Sequence, residues 1–240
     1  MRRLVRLCVI SAVMAAVAAA ASSPALPVKG AASVPMQIVV LLTLLTLLPA
    51  ALVSITPFLR TIIVLHFLRQ ALGTQSTPSN QVLLGLSLFV TLLVMHPVLA
   101  DVHSNAWAPM ERGEIGLEQA AVRAAVPLRA FWVRFAREKD VRFLIEVSGA
   151  PAPRTPADLE LRVLVPAYIL SEMKAGFQIG AVLFLPFLVI DLVVASVTLS
   201  VGMIQLPPAM VSAPFKILLF VLVDGWNLVV GSLVKSFYVT

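Results

Sequence analysis

The stretch Ile179–Val201, IGAVLFLPFLVIDLVVASVTLSV, decides the fold class. It reaches the ~20 apolar residues that carry a helix across a hydrocarbon core. Only Pro186 and Asp191 interrupt it. Three further blocks of the same kind are Met36–Ser54, Val82–Ala100 and Phe215–Val234, the last broken by Asp224. Composition agrees. Of 240 residues, 60% are apolar and 12% charged, and the mean hydropathy is +0.98. A soluble domain carries about 45–50% apolar and roughly 25% charged residues. Apolar surface in such excess needs lipid or a large oligomeric interface. No segment alternates like a barrel strand. The expected fold is an all-α integral membrane protein.

Outward from these blocks, the chain opens Met1-Arg2-Arg3-Leu4-Val5-Arg6, continues apolar from Leu7 to about Ala20, and then reads Ala18-Ala19-Ala20-Ala21-Ser22-Ser23. A charged start, a short apolar core and small residues predict a cleavable signal peptide over 1–21. Residues 22–100 then form a first apolar helical hairpin. Residues 101–162 form a charged amphipathic helical region, and 163–240 a second apolar hairpin. Ile55–Gln81 carries Arg60 and Arg69 but no acid, which places it on the cytoplasmic side and the charged region in the periplasm. Within that region Leu128, Phe131 and Phe135 share a helix face. Arg134, Glu138 and Arg142 are spaced for ion pairs along one helix. The prolines of Ser148–Pro156 make a loop.

The net charge of +6 does not make a nucleic-acid interface. The charged region balances nine acidic against nine basic side chains, and no basic stripe is interleaved with aromatics. Cys8 is the one cysteine, which excludes a disulfide framework. HExxH, GxSxG, Walker A and GxGxxG signatures are absent. The sequence predicts no enzyme and no cofactor.

Charges inside apolar blocks cost about 2.5–3.5 kcal/mol each on insertion scales, so Asp191, Lys216 and Asp224, with Glu172 and Lys174 just before the third block, are the informative positions. Lys216 and Asp224 lie about 12 Å apart along one helix and cannot pair there. Their partners come from another segment or another copy of the chain. Polar glue between helices or subunits is the expected role; an ion path through Asp191 and Asp224 is the rival. Gly176 and Gly180 form a GxxxG that lets helices approach closely. Pro207-Pro208 breaks helical hydrogen bonding after Gly202, making 202–208 either a pore loop or an ordinary turn.

Two long blocks carry a resemblance: Val165–Gly180, VPAYILSEMKAGFQIG, and Pro214–Trp226, PFKILLFVLVDGW. Shorter ones support it: Ile55–Arg60, Leu68–Leu72, Asn80–Leu83, Pro127–Arg129 and Arg137–Asp140. In order and spacing, from about Val53 to Phe237, the chain resembles the FliP family of type III export-gate proteins. The resemblance implies bent helical hairpins that assemble as a pentamer around a central pore. It implies FliQ, FliR and FlhB as partners within the ring of the flagellar basal body, at the bacterial inner membrane and partly in the periplasm. Unfolded rod, hook and filament subunits pass through such a pore. A virulence-type injectisome is the alternative setting, and an ion-coupled membrane transporter the alternative class. The family's methionine-rich gasket aligns with Met203, Ile204 and Gln205, where Met203 alone of three successive methionines is kept; flexible thioethers suit a deformable seal. Glu172, Lys174, Asp191, Lys216 and Asp224 fall in family blocks and are expected as contacts between subunits.

Overall fold

The computed structural model describes residues 34–74, 76–151, 153, 155, 158–202 and 207–238. The expected signal peptide at 1–21 lies outside them. The chain divides into two units, Met1–Leu48 and Pro49–Thr240. In the first, the described residues belong to helix α1 (Val34–Ser54). Its threonines fold their hydroxyls onto its own backbone, as Thr43 does to Val39 O at 2.8 Å, which satisfies them in an apolar setting.

The second unit contains α2 (Phe58–Ala71) and α3 (Asn80–Val102). A π-helical turn, His103–Trp107, carries α3 into the short α4 (Ala108–Glu111). Then follow α5 (Leu117–Phe135), α6 (Glu138–Ser148), α7 (Leu161–Ser200), α8 (Pro208–Leu222) and α9 (Gly225–Tyr238). There is no strand among the described residues. By length and composition, Asn80–Glu111 and α7 can each cross a membrane, and α8 with α9 can do so as a pair bent by 65°.

The 40 residues of α7 make an axis about 60 Å long. The third apolar block is therefore only its second half; the block's start at Ile179 is not a helix start. Helix α2 lies parallel to the first half. Arg60 meets Glu172, Ile63 meets Gly176 and Phe67 meets Gly180. These positions form one stripe on each helix, at three- and four-residue spacing. Around the same half, Leu164, Ala167 and Tyr168 pack with Val90, Val94 and Met95 of α3, Phe131 and Phe135 of α5, and Phe237 of α9. The second half of α7 meets α8, which runs antiparallel, with Ser212 and Lys216 at Asp191 and Phe220 against Phe187. Helix α9 returns along the first half until Ser236 reaches Arg60.

Within Ile55–Gln81, α2 is buried along α7, and Arg60 is 6% exposed. The acid that neutralises Arg60 stands 112 residues later, so counting loop charges misses it. Arg134, Glu138 and Arg142 do not share a helix. The backbone is extended at Ala136 and Arg137, ending α5 and starting α6. Glu138 and Arg142 pair within α6, at 2.5 Å, and both side chains are open to solvent. The expected face of Leu128, Phe131 and Phe135 does enter the core. Helix α6 stops at Gly149, whose φ of +62° is a left-handed cap that glycine adopts without a Cβ clash.

Candidate functional site

Polar side chains gather at three points along α7. At the first, the guanidinium of Arg60 grips Glu172 at both carboxylate oxygens. Arg60 Nε donates to Oε2 at 3.0 Å, Nη2 donates to Oε1, and Nη1 donates to Ser236 Oγ at 3.1 Å. The guanidinium carbon lies 4.0 Å from the centre of the Phe237 ring and 5.6 Å from that of Phe135. Glu172 is fully buried. A planar fork of five donors suits this place, since it satisfies a carboxylate and a hydroxyl together while its face rests on aromatic rings. One cation thus joins α2, α5, α7 and α9.

At the second point Asp140, at the start of α6, is buried against α7. Ser171 Oγ donates to Asp140 Oδ2 at 2.7 Å, and Lys174 Nζ donates to Oδ1. The Arg137 backbone N–H donates to Ser171 Oγ at 2.9 Å, and Arg137 Nη2 donates to Gln178 Oε1 at 2.6 Å. This bond fixes the extended residue between α5 and α6. Burial pushes the Asp140 carboxyl up, but hydrogen bonds from Lys174 and Ser171 and the nearby Arg137 charge outweigh it, so Asp140 titrates below the usual carboxylate range. Half of the Lys174 side chain remains exposed.

At the third, Ser212 Oγ donates to Asp191 Oδ1 and Lys216 Nζ to Oδ2, each at 2.5 Å. Lys216 is buried, whereas a third of the Asp191 side chain is open. Asp224 stands apart, at the joint of α8 and α9, with φ +52°. It is exposed, and its Oδ2 accepts from Asn227 Nδ2 at 3.1 Å. A Cβ on the following Gly225 would lie 2.2 Å from the Phe220 ring, so a glycine is required for that close approach.

Glu172, Lys174, Asp191 and Lys216 thus all have partners within the chain, each supplied by another helix. From Glu172 to Asp191 is about 28 Å of helix, so these groups form no continuous relay. No group of three or more His, Cys, Asp or Glu fit to hold a metal exists among the described residues. Gly176 and Gly180 lie against α2: a Cβ at Gly180 would sit 2.6 Å from Phe67 and one at Gly176 3.1 Å from Ile63. Met203, Ile204 and Gln205, the expected gasket, lie outside the described residues. Arg60, Asp140, Ser171 and Ser212 were not among the residues singled out. The detectable signal was Arg60 itself, a cation beside an apolar block in a segment without an acid.

Comparison with known proteins adds a second line. A model described as the FliP family matches residues 41–233. The flagellar biosynthetic protein FliP of Pectobacterium carotovorum subsp. carotovorum is 52% identical over 206 residues, 86% of this chain and 80% of that protein. The protein of the same name from Bacillus subtilis is 45% identical over 205 residues, 85% of this chain and 93% of that protein. That of Treponema pallidum is 45% identical over 204 residues, covering 84% and 75%.

Proposed function

The chain belongs to the FliP family, and on that premise we propose that it is a pore-forming subunit of the flagellar type III protein export gate. In this reading copies of the chain form a pentamer with FliQ and FliR, FlhB contacts the assembly, and unfolded rod, hook and filament subunits pass through at the inner membrane. The observation that carries the oligomeric part is the height of the apolar wall. Exposed apolar side chains run down α7 from Phe177 to Val201, and those of α3, including Phe89, Leu92 and Leu99, flank its first half. Together they extend over most of the roughly 60 Å of α7, against a hydrocarbon core of about 30 Å. Lipid covers half of such a wall; other protein covers the rest.

The exposed Asp224 is then the acid placed to meet a cation of a neighbouring subunit. Met203, Ile204 and Gln205 narrow the closed pore. An ion-coupled transporter is less well supported, because the Asp191 carboxylate is held by Ser212 and Lys216. The deciding experiment deletes the gene and follows hook and filament subunits in the culture supernatant, with a complemented control. Loss of secretion, restored by complementation, is expected. Unchanged secretion overturns the flagellar assignment.

A further inference from the structure

We propose that the chain carries a collar for anionic phospholipid headgroups, formed by Arg137, Lys174 and Lys235 at the edge of the apolar second half of α7. From Gln178 to Ser200 that half is about 33 Å long, matching a hydrocarbon core of about 30 Å. Lys174 lies one turn beyond this edge, at headgroup depth. Arg137 is held at the same level by its bond to Gln178. Lys235 is there too, since its neighbour Ser236 accepts from Arg60, which grips Glu172.

The charges around the collar favour an anion. Three cations, Arg60, Arg137 and Lys174, face two carboxylates, Glu172 and Asp140. The Lys174 side chain is half exposed. Lys235 is exposed and forms no ion pair among the described residues. Phe177, 50% exposed, stands one turn from Lys174, as aromatic side chains do at a membrane–water interface. Cations that snorkel from an apolar wall beside an exposed ring fit a lipid phosphate better than a protein acid. The inference holds whatever cargo the assembly exports.

The test uses the full chain in nanodiscs containing equal phosphatidylglycerol and phosphatidylcholine, with the annular lipid recovered and quantified. Phosphatidylglycerol is expected in excess over phosphatidylcholine. Lys235→Gln should lower that excess roughly fivefold, the effect of one cation near a charged surface, and Lys235→Arg should keep it. Adding Lys174→Gln together with Asp140→Asn, which leaves no unpaired buried charge, should lower it again with an unchanged elution profile. Equal lipid recovery from wild type, or an excess that survives both changes, overturns the proposal. So does cross-linking of Lys174 to an acid of another subunit without phosphatidylglycerol enrichment.

Discussion

The two halves of α7 invert the usual relation between polarity and burial. Between Leu161 and Gly180, Ser171 and Glu172 are as buried as Leu164 and Tyr168. Between Ala181 and Ser200 only Phe187 and Thr198 are buried, while Val182, Leu192 and Val193 are open. The first half is thus packed inside one chain, with α2, α3, α5, α6 and α9 around it and its carboxylates paired. The second half, with α8 beside it, presents the apolar surface that a surrounding medium has to cover. Hydrophobicity marks what lies outside the molecule, and buried charge marks its interior.

The largest expected effect tests the first half. Replacing Glu172 by Ala strands the Arg60 guanidinium and should destabilise the protein by about 3–5 kcal/mol, seen as lost accumulation and a lowered Tm in detergent. The double change Arg60→Met and Glu172→Met should recover much of that. A single change of under about 1 kcal/mol would mean that the pair is solvated and the contrast false. Next comes Gly180→Ala, whose Cβ would strike Phe67. A cost of about 1–3 kcal/mol is expected, relieved by Phe67→Ala; a neutral result would show that α2 is free to draw away from α7.

Asp140 gives a smaller effect that depends on pH. Its folded pKa lies below the usual value, and the unfolded value is about 3.9. Its contribution is therefore complete above that pH and is lost as the pH falls through the lower folded value. Thermal unfolding of wild type and Asp140→Asn, compared from neutral pH downward, should converge below about pH 4. A difference that persists into strong acid would rule out the Lys174 pair as its origin. The smallest effect belongs to the second half. Val193→Ser should shift the stability of the isolated chain by no more than about 0.5 kcal/mol yet lower the fraction held in the membrane, read by alkaline carbonate extraction. A large loss in the isolated chain would show that this face is covered from within.

The helical class and the long apolar segments were legible because each rests on local pattern. Periodicity also put Phe131 and Phe135 on one helix face, which the structure buries. What could not be read were the partners. Glu172 was recognisable as a costly acid, but its cation lies 112 residues earlier, and the stripe pairing α2 with α7 is set by tertiary packing. Asp140 looked like one more surface charge in a balanced region; only the extended backbone at Ala136 and Arg137 turns it inward. Asp191 and Lys216 were both conspicuous, yet their union depends on how α8 packs against α7.

The grip of Arg60 on two distant segments has a consequence for biosynthesis. Its carboxylate arrives 112 residues later and its hydroxyl partner, Ser236, 176 residues later. At about 5–20 residues per second of synthesis, the guanidinium waits on the order of 10–35 s before its surroundings are complete. During that interval α2 cannot settle as an apolar element, and its charge has to stay near water or a chaperone. Completion of this site therefore waits for α9, whose Ser236 closes a site opened by α2.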